Sequence, residues 1–305
     1  MDPLVSLRGI VTVLNTPFDT NNHLDLPGLR QNVENAIRAG VAGFLVPAMA
    51  SEVGSLSEAE RYELVKATVE VSAGRVPIIG GASAPDQATR MEAANTLIDL
   101  GCAGILVSMP YEDPGSYTSH VEALAALDPG FLMLQDWDAN GYGIPVPLIV
   151  ELFRAIPAFK CLKVEVVPAG PKYTEVLKAT DGELHVSGGW AVSQLIEGLD
   201  RGVHAFMPTG MHPIYCTIYN TYMAGDRESA QQLFERLMPI LAFSNQHLDI
   251  SIYFFKRLLH AQGIYATDKV RSPKVSFDAI HQANADRLIQ RVMDLEVELA
   301  DTKWM

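Results

Sequence analysis

The sequence predicts a (β/α)8 TIM barrel, an α/β fold, followed by a C-terminal helical extension. Three observations predict it. Short apolar runs alternate with helix-period segments as far as residue 225. The runs are rich in Val, Ile and Leu and carry no apolar–polar alternation, which suits strands of a parallel sheet covered by helices. Eight strand–helix units in about 225 residues is the arithmetic of a closed barrel. A doubly wound open sheet is the alternative, but no glycine-rich dinucleotide turn follows the first strand.

The elements follow in order. Strands are predicted over Gly9–Leu14, Ala42–Pro47, Val76–Gly81, Ala103–Ser108, Gly130–Gln135, Phe159–Val164, Glu183–Ser187 and Val203–Pro208. Amphipathic stretches separate them, at roughly 25–40, 57–73, 86–100, 115–127, 146–155, 170–180, 190–201 and 212–225. Ser57 with Glu60 reads as a capping box that opens the second helix. Gly40, Gly74 and Gly101 stand where helix C-caps belong. After Gly225 the pattern turns wholly helical, over Asp226–Ala242, His247–Gln262 and Ser276–Ala300. The organisation expected is a barrel over 1–225 and a helical appendage over 226–305 packed on its flank. No low-complexity linker parts the two.

Composition narrows the function classes. The chain has 305 residues, 48% hydrophobic and 19% charged, which fits a globular protein with a sizeable core. Its net charge of −13 is offset by no basic stripe, so neither nucleic acid nor an anionic membrane is an expected partner. Any site for an organic acid must make its own positive field, from a lysine, helix N-termini or backbone amides. The cysteines, Cys102, Cys161 and Cys216, are odd in number and scattered through apolar stretches, as buried thiols of a cytoplasmic protein would be. No secretion signal or membrane span is read at the N-terminus or elsewhere. The eight histidines show no metal-binding spacing, so neither a metal nor any other cofactor is expected.

Lys163 is the residue that points to chemistry. It lies in Phe159-Lys160-Cys161-Leu162-Lys163-Val164-Glu165-Val166, and period-2 alternation places Lys163 and Glu165 on one face with Leu162 on the other. Lysine is seldom buried without a partner or a purpose. An amine that loses its proton in a low-dielectric site can attack a ketone and form a Schiff base. The plainer reading is a lysine snorkelling from a strand end. In a barrel the active site gathers at the C-terminal strand ends. That rule selects Ala48 to Glu52, Met109 to Glu112, Gln135 to Asp138, Lys163, Gly188-Gly189 and Pro208 to Gly210.

Gly9, Thr16-Pro17-Phe18, Ser51-Glu52, Leu56 to Arg61, Leu162-Lys163, Ser187-Gly188-Gly189, and Ala224-Gly225-Asp226 with Ala230 and Pro239 stand in a specific order and spacing. In these residues the chain, from about 8 to 275, resembles the dihydrodipicolinate synthase / N-acetylneuraminate lyase family. The resemblance implies a barrel with C-terminal helices, a Schiff-base lysine at Lys163, a 2-oxo acid substrate such as pyruvate, and a homo-oligomer, a tetramer or dimer. The family's carboxylate-binding loop aligns with Ala48-Met49-Ala50-Ser51-Glu52, where both hydroxyl positions are lost at Met49 and Ala50. Ala50, through its backbone, and Ser51 are left to hold a carboxylate. The strand-five tyrosine that shuttles protons aligns with Gln135, whose amide is no general base. The basic residue expected after it aligns near Asn140. Dihydrodipicolinate synthesis is therefore not expected.

Gln135-Asp136, Lys163-Val164-Glu165 and Lys172 after Pro168-Ala169-Gly170-Pro171 resemble a divergent branch that includes 2-keto-3-deoxy-arabonate dehydratases. The expected site takes Lys163, Gln135 and Glu165 as catalytic residues. Ala50, Ser51, Tyr111, Asp136, Gly188 and Gly189 are expected to bind substrate. Each has a plainer use: Glu165 as an ion-pair partner, Gln135 and Asp136 as strand-end bridges, Tyr111 as packing, and the glycine pair as a turn. The expected activity is a lyase, dehydratase or aldolase, acting on a 2-keto-3-deoxy sugar acid. A retained barrel that only binds a ligand is the rival, which the lost tyrosine favours and Lys163 opposes.

Overall fold

The computed structural model describes residues 3–138, 140–189 and 192–301. Eight strands hydrogen-bond in chain order as a closed barrel: β1 Gly9–Val13, β2 Gly43–Val46, β3 Ile78–Gly81, β4 Gly104–Ser108, β5 Leu132–Asp138, β6 Phe159–Val166, β7 His185–Gly188 and β8 Ala205–Phe206. The helices are α1 Pro3–Ser6, α2 Leu26–Ala39, α3 Glu58–Ser72, α4 Gln87–Asp99, α5 Pro114–Ala125, α6 Val146–Ala155, α7 Ala169–Ala179, α8 Leu195–Asp200, α9 His212–Met223, α10 Arg227–Glu235, α11 Met238–Ser244, α12 Leu248–Ala261 and α13 Ala279–Asp301. The fold is the (β/α)8 barrel with C-terminal helices that the sequence predicts.

Local chemistry explains the element ends. Ser57 and Glu60 form the expected reciprocal capping box on α3. Gly40 closes α2 in the left-handed conformation at φ 92°. On α3 the left-handed cap falls on Ala73, one residue before Gly74. The helix expected over Asp226–Ala242 is broken into α10 and α11, because Pro239 lacks the N–H that a helix interior needs and sits in the first turn of α11. The predicted helix 190–201 is observed as α8, and positions 190 and 191 lie outside the described residues. None of the helices among the described residues is long and apolar enough to cross a membrane.

The chain divides into two compact units, residues 1–11 with 77–207, and residues 12–76 with 208–305. The first carries β3 to β8. β5 runs past its predicted end to Asp138, β6 to Val166, and β7 by one residue to Gly188. β5 is buried and apolar over Leu132, Met133 and Leu134 and turns polar from Gln135, while β6 sets a partly exposed Lys160 among buried Phe159, Cys161 and Leu162 before Lys163. Their parallel register sets Met133 beside Cys161, Gln135 beside Lys163, and Trp137 beside Glu165. Next to β6, β7 places Ser187 beside Lys163 and Gly188 beside Val164. β8 is only two residues long, yet Met207 N–H still donates to Gly188 C=O and continues the ladder.

In the second unit the core lies between α2, α3 and the C-terminal helices. A buried polar chain runs through it. His212 bonds Thr12 Oγ1 and Asn32 Oδ1, Asn32 donates to the Tyr265 hydroxyl, and that hydroxyl donates to Asn15 C=O. Lys256 on α12 is fully buried, paired with Glu52, and lies 4.3 Å from the centre of the Phe18 ring. Burial lowers the Lys256 amine to about 8, against the opposing pull of Glu52. Arg271 reaches the same Phe18 ring, binds Glu60 through both terminal nitrogens, and gives its backbone N–H to Glu52.

Candidate active site

Strand alternation builds the site in the first unit. Gln135 and Trp137 of β5 share a face with Lys163 and Glu165 of β6. Lys163 Nζ lies 3.2 Å from Glu165 Oε1, with side chains 7% and 10% exposed. Gln135 Nε2 donates to the other oxygen of the same carboxylate, Oε2. Glu165 is thereby held from two sides, by an ammonium and by an amide. Gly189 follows β7, and its N–H donates to Val164 C=O at 3.2 Å. A Cβ at Gly189 would overlap Cγ and Oε1 of Glu165, so only glycine leaves the carboxylate its place. A Cβ at Gly188 would lie 2.9 Å from the Tyr173 hydroxyl. Lys163, Gln135, Glu165 and Gly189 thus come together.

Asp136 does not join this group. It points to the opposite side of β5, is 1% exposed, and meets Lys172 Nζ of α7 at 2.6 Å. Its Oδ1 accepts the Ile144 N–H at 2.8 Å. Burial raises the Asp136 carboxyl, and Lys172 opposes that rise. Lys172 also donates to the carbonyls of Tyr142 and Ile144, so its ammonium sits among one carboxylate and two carbonyls. The pair closes the segment between β5 and α6. Tyr111 is half-buried after β4, with its ring edge-on to Tyr117 at 5.9 Å between centroids.

Ala50 and Ser51 belong to the second unit, in a short 3-10 turn, Met49–Ser51. The Ser51 hydroxyl donates to Leu14 C=O and accepts the Ala48 N–H. Its carbonyl accepts from Thr16 Oγ1, and that of Ala50 from Asn15 Nδ2. The Ser51 side chain is therefore committed to the backbone of its own unit. Glu52, next in the chain, takes a left-handed conformation at φ 57° and is anchored by Lys256.

Sequence reasoning missed three things here. The partnership of Asp136 with Lys172 was signalled by alternation, which puts Asp136 opposite Gln135. Trp137, on the inward row, is 57% exposed and was signalled by the same alternation. The chain from His212 to Asn15 joins residues scattered from Thr12 to Tyr265, and no local pattern announces it.

Comparison with known proteins agrees with the fold. The sequence matches the dihydrodipicolinate synthetase family over residues 6–292. A 4-hydroxy-tetrahydrodipicolinate synthase of Xanthomonas campestris is 27% identical, over 96% of this chain and 97% of its own. An L-2-keto-3-deoxyarabonate dehydratase of Azospirillum brasilense is 26% identical, over 87% of this chain and 88% of its own. Among solved structures, a dihydrodipicolinate synthase of Rhodopseudomonas palustris superposes with a TM-score of 0.87 at 21% identity, covering 95% of this chain and 99% of that one. The barrel, its C-terminal helices and a match along nearly the whole sequence place this chain in the dihydrodipicolinate synthetase family of class I Schiff-base lyases.

Proposed function

We propose that the protein is a Schiff-base-forming lyase that dehydrates a 2-keto-3-deoxy sugar acid, with Lys163 as nucleophile and Glu165 as proton carrier. Family membership supports a class I lyase of 2-oxo acids in general. The observation that carries the finer reading is the Lys163–Glu165–Gln135 cluster. Glu165 takes a proton from Lys163 Nζ, and the neutral amine attacks the C2 ketone. The carbinolamine hydroxyl receives that proton and leaves as water, giving an iminium and a Glu165 carboxylate. The iminium draws electrons from C3, whose proton passes to Glu165 and leaves an enamine. The enamine expels the C4 hydroxyl, which departs as water with the proton Glu165 returns. Hydrolysis of the remaining iminium frees the product and regenerates Lys163. Gln135 holds Glu165 and presents an amide to a substrate hydroxyl, so the site favours hydroxylated chains over apolar ones. The dehydratase among the relatives supports the same substrate class.

The test is turnover of five- and six-carbon 2-keto-3-deoxy sugar acids, set against condensation of pyruvate with aspartate semialdehyde. The expected result is dehydration of the sugar acid and negligible condensation, because no tyrosine stands at position 135. Efficient condensation without dehydration would overturn the substrate assignment. Release of pyruvate from the sugar acid would identify aldol cleavage instead.

A further inference from the structure

We propose that Trp137 is the specificity-determining residue of this site, an indole platform for the hydroxylated carbons of the substrate beyond C3. This rests on the proposed reading of Lys163 as the Schiff-base lysine. Trp137 is the Cα partner of Glu165 across the β5–β6 ladder and stands on the same face as Gln135. The Glu165 carboxylate joins this row to the next, since Lys163 Nζ lies 3.2 Å from its Oε1 and Gln135 Nε2 donates to its Oε2. A ketone carbon bonded to Nζ therefore sits beside the Glu165 carboxylate, whose own residue is paired with Trp137 across the ladder. A three-carbon acid is held within reach of Glu165, while a longer chain must extend past that row. On β5 the side chain of that row is the indole.

The indole is 57% exposed, among the largest apolar side chains left in water among the described residues. Exposing such a surface forgoes the gain that burying it would bring. Its neighbours on the next-inward row are polar and committed to Glu165, so the indole is the apolar surface of a polar mouth. A 2-keto-3-deoxy sugar acid matches both. Its C–H faces stack on an aromatic plane, and its hydroxyls meet the amide and carboxylate. The substrate class this selects is a 2-oxo acid of five or more carbons with a hydroxylated tail. Pyruvate is too short to use the platform.

The experiment compares wild type with Trp137→Ala and Trp137→Phe. Half-saturation is measured for imine trapping by borohydride with pyruvate and for turnover of a five-carbon 2-keto-3-deoxy sugar acid. Trp137→Ala is expected to raise the ratio of the second value to the first by about tenfold, with Trp137→Phe restoring most of the difference. The sugar acid is also expected to quench tryptophan fluorescence of wild type more than of Trp137→Phe, where Trp190 and Trp304 remain. An unchanged ratio with equal quenching would overturn the proposal. A shift of Trp137→Ala to a different oligomeric state would overturn it too, because a second copy would then cover the indole. Failure of wild type to trap pyruvate at all would instead remove the Schiff-base reading beneath it.

Discussion

Lys163 and Lys172 lie nine positions apart, and each faces a carboxylate, yet the two pairs are built for different ends. Lys172 is 0% exposed and Asp136 1%, and the ammonium is surrounded by Asp136 and two backbone carbonyls. With three oxygens around it and no exposed surface, it has no room for a substrate. Lys163 and Glu165 keep 7% and 10% of their side-chain surface, and Glu165 is the one polar partner of Lys163 among the described residues. The Glu165 carboxylate, shared with Gln135, keeps a tenth of its surface, whereas Asp136 is 1% exposed between Lys172 and the Ile144 N–H. Burial of a lysine therefore does not by itself mark a nucleophile. In the proposed mechanism Lys163 differs from Lys172 in the count of acceptors around it and in the face it occupies.

Variants can break this comparison. The largest effect is expected for Lys163→Arg, which keeps the charge but cannot form an imine, so sugar-acid turnover should vanish. Residual turnover above background would remove Lys163 from the mechanism. Glu165→Gln should lower kcat by about 10²–10⁴-fold, the usual worth of a positioned proton carrier, with the fold intact by circular dichroism. A Glu165→Gln enzyme of normal kcat would leave the carboxylate as a mere ion-pair partner. Lys172→Met should act on stability instead. It strands a buried carboxylate at a cost of about 3–5 kcal/mol in urea unfolding. Replacing both partners, as Lys172→Met with Asp136→Leu, should recover most of that loss, and a failure to recover would give the pair a role beyond neutralising itself.

Gln135→Ala should weaken sugar-acid turnover while imine trapping with pyruvate persists, because the amide positions Glu165 and not the nucleophile. Full activity in that variant would contradict the role of Gln135. The broadest effect is on pH. Burial lowers His212 to about 4, burial with smaller contributions from His204 and Arg8 lowers His185 to about 4, and burial with Arg8 lowers His204 to about 4. Above pH 6.5 these rings are neutral in folded and unfolded chains alike. Between 6.5 and 4 the unfolded chain binds protons that the folded one refuses, so stability should fall with pH across that window, by at most about 1.4 kcal/mol per pH unit for each ring. A flat profile of urea midpoints from pH 7 to 5 would show the histidines to be protonated in the folded protein.

Much of the barrel was legible in the sequence, since its strands are short apolar runs bounded by helix caps, and both signals are local. The pairing of Lys163 with Glu165 was legible for the same reason, because alternation on one strand fixes which side chains share a face. The ends of β5 and β6 were less so. Asp136, Trp137 and Asp138 fell beyond the predicted end of β5, and Glu165 and Val166 beyond that of β6, yet the ladder that pairs Trp137 with Glu165 extends both strands. The break at Pro239 was written in the chain and outweighed by the helical period around it. The anchoring of Glu52 by Lys256, across 204 positions, has no local trace, because a buried ion pair is visible only once both elements are packed.

The most direct measurement is borohydride reduction of the wild-type protein in the presence of pyruvate, followed by intact mass and peptide mapping. One reduced pyruvyl group per chain, mapped to Lys163 and absent from Lys163→Arg, is the predicted result. An unchanged mass, or an adduct mapped to Lys172 or another lysine, would contradict the account.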